Sequence, residues 1–294
     1  MFINTMKKEI KVLLPNWVNE VQDRNITLTN DLDSLISANL LKHLFGYEIN
    51  HFFSFGSFST IDLADERKSI GVDMALTKGY TYCNHLTKLT PSSYQNPDSA
   101  NLNLALNISR ENYSQKFSMS TLIFLWSLYD VPLPVTEDGK KILLALDAGM
   151  KGWYPPAYRH ILEDTLETLE MTELIEVMEN TPLADMYDFI GKHELDSTIR
   201  LRQSGKKAGK LYFETSGRNI NPFKYGLNLE WLSEQLGFPI ELPTDHFTTV
   251  AKFHNKEMDW HELSNKAIES SFSYAFVYKN KIKLSEMKIE GESA

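Results

Sequence analysis

Acidic side chains and one histidine stand shortly after several apolar segments of the sequence. Asp31 and Asp33 come after NITLT, Asp73 after SIGV, His85 after YTYC and Asp147 after ILLAL. The carboxyl ends of neighbouring parallel strands converge on one crevice, so groups that are distant in sequence can meet there. Mg²⁺ and Mn²⁺ favour carboxylate oxygens, and Mn²⁺ also accepts imidazole. We therefore predict a Mn²⁺ or Mg²⁺ site built from these five residues.

A site of this composition suits the hydrolysis of phosphodiesters. That reaction needs positive charge to stabilise the transition state and a source of hydroxide near neutral pH. Two divalent ions about 3.5–4 Å apart supply both. In this interpretation Asp31 holds a metal or orients its water, so Asp31 and His85 are the candidate catalytic residues.

Each candidate also has a simpler structural interpretation. Asp31 and Asp33 could cap the following helix, because an aspartate there satisfies unpaired backbone amides. His85 could be a hydrogen-bonded core histidine, and Asp147 an ordinary residue at a helix C-terminus, where a carboxylate is electrostatically unfavourable. Asp73 is harder to explain without a site, because a buried carboxylate needs a partner or a metal. Cys83 is interpreted as a small buried residue.

The surrounding elements indicate how these residues are positioned. NITLT predicts a strand, SLISANLLKHLFGY a helix that stops at Gly46, and EINHFFSF a second strand. This β–loop–α–β order favours a parallel sheet. IGVDM and YTYCNH are further predicted strands, followed by a long loop over residues 89–103. Buried and capped helices are predicted over residues 118–129 and 136–148, and a long helix over 157–178.

The run TNDLDSLISANLL resembles the first motif of the DHH phosphoesterases, a group that includes RecJ-type exonucleases, nanoRNases and cyclic-dinucleotide phosphodiesterases. GVDMAL resembles their second motif, CNH at 83–85 stands at the Asp-His-His triplet, and LLALDAGMKG resembles the fourth motif. The resemblance covers about residues 20–155. It implies an α/β fold with a parallel-sheet DHH-like N-terminal domain (1–155), a helical connector (156–200) and a smaller α+β C-terminal domain for substrate or partner (201–294).

Two functions follow from this resemblance. The first is a metal-dependent phosphoesterase that acts on a nucleotide, a cyclic dinucleotide or a short oligonucleotide, with Asp33, Asp73, His85 and Asp147 holding the metal. The second arises because Cys83 and Asn84 replace the first two residues of the triplet. It is a catalytically inactive protein of the same fold that binds a nucleotide or a protein partner, such as an inhibitor encoded by a phage or mobile element.

Two charged stretches are candidate binding surfaces. Residues 163–179 carry acids at a three-residue spacing, which predicts an acidic stripe on a helix, either a solvated face or a docking surface for a basic protein. Residues 200–224 interleave bases with aromatic residues, a combination that suits a nucleotide or a short single strand. A plain solvated loop is the alternative. The candidate substrate-binding residues of this stretch are Arg200, Arg202, Lys206, Lys207, Lys210 and Arg218.

The net charge, the cysteine count and the absence of several known motifs disfavour other classes of function. A formal net charge of -9 disfavours general adhesion to nucleic acid or to anionic membranes. Cys83 is the only cysteine, which excludes an internal disulfide and fits a reducing cytoplasm. No signal peptide and no membrane span are expected, and a homodimer is left open. The sequence has no Walker loop, no dinucleotide glycine motif, no HExxH and no GxSxG.

Overall fold

The computed structural model describes residues 6–215 and 226–288. Within these ranges the chain forms a nine-stranded sheet, a two-stranded sheet and ten α-helices. The strands are β1 (Asn25–Leu28), β2 (Glu48–Phe53), β3 (Ser57–Thr60), β4 (Ser69–Val72), β5 (Thr81–Tyr82), β6 (Ser99–Ala100), β7 (Thr198–Leu201), β8 (Leu211–Glu214), β9 (Thr248–Asp259), β10 (Ser273–Tyr278) and β11 (Lys281–Met287). The helices are α1 (Lys8–Lys11), α2 (Leu32–Phe45), α3 (Leu102–Ala105), α4 (Thr121–Leu128), α5 (Glu137–Ala145), α6 (Pro156–Thr168), α7 (Glu173–Asn180), α8 (Leu183–His193), α9 (Leu229–Leu236) and α10 (Asn265–Ser270).

One half of the large sheet is parallel, as the β–loop–α–β pattern predicts. β1 pairs in parallel with β2 and β4, and β5 and β6 continue that direction. Helix α2 begins after the N-cap Asp31 and ends at Gly46, whose φ of 72° lies in the left-handed region that glycine adopts readily. The predicted loop over residues 89–103 contains β6, so that part of the prediction is wrong. Because β1, β4 and β5 are parallel neighbours, their carboxyl ends lie at the same edge of the sheet.

The other half of the sheet is antiparallel. β3 pairs with β2, β9 with β3, β11 with β9, and β10 with β11. β9, β10 and β11 lie beyond residue 200, where a C-terminal domain is predicted, yet they extend the sheet that starts in the N-terminal half. The molecule is thus a mixed α/β protein with one continuous sheet across that position. The division into domains stays a prediction.

The sheet curls back towards its own parallel half. The amide of Tyr274 in β10 donates to the carbonyl of Ala75 at 3.0 Å, and that of Phe276 donates to Leu86 at 2.9 Å. Leu76 and Ser273 form an isolated antiparallel bridge. These bonds satisfy part of the outer edge of β10, which would otherwise be open. As a consequence, β10 lies beside the segments that follow β4 and β5.

The helix predicted over residues 157–178 is two helices, α6 and α7. Glu170 between them has a φ of 55°, which ends the α6 turn. Leu169 and Met171 on either side are both fully buried. Residues two positions apart face different directions on a helix, so the break allows both to enter the core. The acidic residues of 163–179 therefore do not form one continuous helical stripe.

Helices α4 and α5, which precede α6 in the chain, confirm the helices predicted over these parts of the sequence. Every residue of α4 is buried, and its N-cap is Ser120. Helix α5 begins after the N-cap Thr136 but ends at Ala145, earlier than predicted. A 3₁₀ segment, Leu146–Gly152, follows it and carries Asp147. In the described residues, the helices are all too short or too polar to cross a bilayer.

Candidate metal centre

Three aspartates from distant parts of the chain converge at the carboxyl edge of the parallel strands. Asp33 lies in the first turn of α2, Asp73 follows β4, and Asp147 lies in the 3₁₀ segment after α5. One carboxylate oxygen from each lies within 4.8 Å of the other two. Asp33 and Asp73 are only 2% and 4% exposed, whereas Asp147 is exposed. The cluster is therefore closed on the protein side and open towards solvent at Asp147.

The N-terminus of α4 holds the Asp33 carboxylate. The amide of Thr121 donates to Oδ2 at 2.7 Å, and the amide of Leu122 donates to Oδ1 at 2.8 Å. The first amides of a helix have no partner within the helix, and the helix dipole favours negative charge at that end. Sequence reasoning treated Asp33 as a metal ligand or as a cap of the following helix, and it missed the role of α4. The only signal for that role is the Ser120–Thr121 pair before an apolar run.

Asp73 occupies a strained backbone position. Its φ is 57°, in the left-handed region that non-glycine residues rarely adopt. Its amide donates to the carbonyl of Tyr82 at 2.9 Å, and its Oδ1 accepts from the hydroxyl of Thr121 at 2.8 Å. Backbone strain of this kind persists where surrounding contacts enforce it, and it is concentrated at functional sites. Thr121 thus orients Asp33 through its amide and Asp73 through its side chain.

Asp147 reaches the cluster through a close approach of two segments. Its φ is 55°, so it shares the unusual conformation of Asp73. Two residues later, a Cβ on Gly149 would lie 2.8 Å from Cα of Met119, which only glycine avoids. Nδ2 of Asn84 donates to Oδ2 of Asp147 at 2.6 Å and to the carbonyl of Met119 at 2.9 Å. Asn84, treated in the sequence as a replaced ligand, therefore positions a carboxylate.

His85 adjoins the three carboxylates. Its Nδ1 lies 3.6 Å from Oδ1 of Asp73 and 3.3 Å from Sγ of Cys83, and its side chain is 34% exposed. The Cys83 side chain is buried, which confirms the prediction of a small buried residue. The structure thus places His85 next to Asp73 but not among the three carboxylates that meet within 4.8 Å.

Asp31 has the capping geometry of the simpler interpretation. Its Oδ1 accepts from the amide of Ser34 at 2.9 Å at the start of α2. It is not one of the three aspartates whose carboxylate oxygens meet within 4.8 Å. Burial, followed by the charges of Asp73 and Asp147, raises the pKa of Asp31 well above its usual value. Its role as a metal ligand or water-orienting group stays a prediction.

The electrostatics of the cluster favour a positively charged occupant. Burial first, and then the negative charge of Asp147, raises the pKa of Asp73 to about 8. Burial and the neighbouring aspartates also raise the pKa of Asp33 well above its usual range. Burial opposes protonation of His85, but Cys83 and the charges of Asp147 and Asp31 outweigh it and raise its pKa to about 9. A divalent cation would stabilise the ionised carboxylates, which otherwise repel one another.

The described candidate substrate-binding residues, which run from Arg200 to Lys210, lie on a hairpin that starts beside Asp31. β7 and β8 pair in an antiparallel manner, Thr198 bridges to Asp31, and the amide of Ile199 donates to the carbonyl of Asn30 at 2.8 Å. The hairpin is thus attached to the edge where the carboxylates meet. Sequence reasoning predicted the basic character of this stretch but not its attachment to that edge.

Some of the basic side chains on the hairpin already have partners. Arg200 forms an ion pair with Glu214 at 2.9 Å. The guanidinium of Arg202 lies 4.2 Å from the centre of the Tyr212 ring, and Nζ of Lys210 donates to the carbonyl of Thr244 at 2.5 Å. Lys206 and Lys207 are exposed in the turn between the strands, and Arg218 lies outside the described residues. Within the described residues, Arg202, Lys206 and Lys207 are thus the members of the predicted set that are exposed and take part in no ion pair.

Comparisons with protein-family models, with curated proteins and with solved structures found no match. The resemblance to the DHH phosphoesterases therefore stays a prediction, and the function has to be argued from the geometry of the site.

Proposed function

We propose that this protein is a metal-dependent phosphoesterase whose Mn²⁺ or Mg²⁺ ion is held by Asp33, Asp73 and Asp147. The observation that carries the proposal is the meeting of three carboxylates, two of them buried, within 4.8 Å. Isolated buried charges are costly unless they are paired or bind a metal. In the described part of the chain, these three carboxylates form no ion pair with lysine or arginine.

The hydrogen bonds around the cluster are compatible with metal binding. Each ionised carboxylate has about four acceptor positions, and the bonds from Thr121, Leu122 and Asn84 use only some of them. Donors behind a metal ligand orient it and are part of most well-formed sites. The bound ion would polarise phosphoryl oxygens and lower the pKa of its water. His85 would complete the ligand set, and Asp31 would orient the attacking water.

The substrate in this proposal is a nucleotide, a cyclic dinucleotide or a short oligonucleotide. The support is the basic hairpin, which bridges to Asp31 through Thr198 and carries Arg202 over the ring of Tyr212. Cationic side chains beside aromatic rings bind both the phosphates and the bases of short single strands. A net charge of -9 fits a small anionic substrate at a local basic patch better than general adhesion to long nucleic acid.

Hydrolysis assays test this proposal directly. Wild-type protein, Asp73→Asn and the exposed control Asp164→Asn are incubated with Mn²⁺ and with each of the three substrate classes. We expect turnover by the wild type and by Asp164→Asn, and a loss of at least about 100-fold in Asp73→Asn, because second-shell changes alone cost 10–100-fold at metal sites. Equal turnover in the two variants, or turnover in none of the three proteins, would contradict the proposal.

The second candidate is an inactive protein of the same fold that binds a nucleotide or a protein partner. It is favoured by the neutral Asn84 in the triplet, whose side chain already bonds Asp147, and by the pKa of about 8 at Asp73, which allows a hydrogen-bonded cluster without metal. In this case calorimetry with Mn²⁺ shows no saturable binding although the protein is folded. A pull-down abolished by charge reversal at Glu170 and Glu173 would then support a basic protein partner.

The cytoplasmic location and the possible homodimer stay predictions in both cases. The sole cysteine supports a reducing compartment.

A further inference from the structure

A cavity of about 150 Å³ opens directly beside the carboxylate cluster. Asp73 and His85 line it together with residues of β10 and β11. The cavity exists because β10 returns to the parallel half of the sheet through the bonds of Tyr274 and Phe276. The C-terminal strands thus line a space that the candidate metal centre also borders.

The wall of this cavity is largely apolar and well supported. The rings of Phe53 and Phe55 have centroids 5.2 Å apart at an angle of 50°. Behind them, Phe53 contacts Phe253 edge-on at 5.3 Å and Phe272 at 5.0 Å. Interlocked aromatic rings of this kind keep a cavity wall rigid. The remaining apolar lining residues are Met74, Ala75, Ala275 and Val277.

A cation lies at the rim of the cavity. Lys283 in β11 pairs with Ala275 in β10, and its Nζ lies 5.3 Å from the centre of the Phe55 ring. Within the described part of the chain, Lys283 takes part in no ion pair. Phe55 has a φ of 62°, so its ring is held there by a strained turn. The cavity therefore combines a flat apolar wall, one accessible positive charge and a carboxylate end.

We propose that this cavity receives one aromatic ring from the leaving group of the phosphoester, while Lys283 pairs with a further negative charge of the substrate. This inference rests on the proposed function, because it places the phosphoester at Asp73. A volume of about 150 Å³ has room for one ring system but excludes a duplex or a folded protein segment. Bases of any kind stack on aromatic side chains such as those in this wall. The preferred substrate is therefore a small ester that carries a ring.

Binding of two small probes tests the inference without requiring turnover. Phenyl phosphate and methyl phosphate are titrated into the protein in the presence of Mn²⁺, by calorimetry. We expect the wild type to bind phenyl phosphate about tenfold or more tightly, in line with the stacking of one ring. Ala275→Leu fills the cavity and should make the two affinities equal. Ala64→Leu, the same change at an exposed position, should keep the wild-type preference.

Further variants and outcomes keep the inference separate from the proposed function. Val277→Trp blocks the cavity at its rim, where the side chain is 39% exposed, and serves if Ala275→Leu does not fold. Lys283→Met should leave the ring preference unchanged, because neither probe carries a negative charge beyond its phosphate. No ring preference in the wild type, no binding of either probe, or a preference that survives both blocking variants overturns the inference. A ring preference without Mn²⁺ binding supports the cavity and refutes the phosphoesterase, and hydrolysis without a ring preference does the reverse.

Discussion

Replacing Asp73 with asparagine separates the cost of its charge from the packing of its side chain. Asp73 is 4% exposed, and burial together with the charge of Asp147 raises its pKa from the usual 3.8 to about 8. The unfolded chain therefore loses this proton first as pH rises. Between about pH 4 and pH 8 the folded protein therefore binds more protons than the unfolded chain. The metal-free protein must lose stability as the pH rises through that window. The difference between the two pKa values sets an upper limit of about 5 kcal/mol on this loss of stability.

Asp33 and Asp147 also contribute to the repulsion within the cluster. We therefore expect Asp73→Asn alone to raise the free energy of unfolding of the metal-free protein by about 1–3 kcal/mol at pH 8. At pH 4 the side chain is neutral in the folded protein, so the variant and the wild type should be nearly equal. Urea unfolding in the presence of a chelator at both pH values measures the difference. With saturating Mn²⁺ at pH 8, only the wild type gains binding energy, and the order should invert. A variant destabilised equally at both pH values would refute a buried charge at Asp73.

Other predictions concern the positioning of the site and the helix break. Gly149→Ala should lower Mn²⁺ affinity about tenfold or more in calorimetry, because its Cβ would meet backbone at 2.8 Å, whereas Gly152→Ala, with open space, should not. Asn84→Ala should cost about 10–100-fold in Mn²⁺ affinity while the protein stays folded by circular dichroism; unchanged affinity would contradict its positioning role. Glu170→Gly should raise the free energy of unfolding by about 1 kcal/mol, because glycine adopts the left-handed conformation of this position without strain. Glu167→Gly should lower it by a similar amount, because glycine is unfavourable inside α6. Effects of the same sign for both variants would contradict the helix break.

Sequence reasoning located the elements whose signals are local. The apolar runs before Asp31 and Asp73, and Gly46 at a helix end, are read from neighbouring residues, and the structure confirms the strands and the helix there. The convergence of Asp33 and Asp73 follows from the same logic, because the carboxyl ends of parallel strands share an edge. Asp147 instead reaches the cluster from the 3₁₀ segment after α5.

The features that sequence reasoning missed depend on contacts between distant segments. The amides of α4 that bind Asp33 lie 88 and 89 residues away in sequence. The joining of β9 to β3 depends on pairing across most of the chain, which an alternating pattern alone does not specify. The break at Glu170 was hidden because the apolar spacing on both sides is helical, and only the simultaneous burial of Leu169 and Met171 requires it.

The central claim is that Asp33, Asp73 and Asp147 bind one divalent cation together. Anomalous X-ray scattering from crystals grown with Mn²⁺ tests it most directly. We expect a Mn²⁺ peak at coordination distance from an oxygen of each of the three carboxylates, and its loss in Asp147→Asn. A folded wild-type crystal with saturating Mn²⁺ and no peak among these carboxylates would contradict the claim.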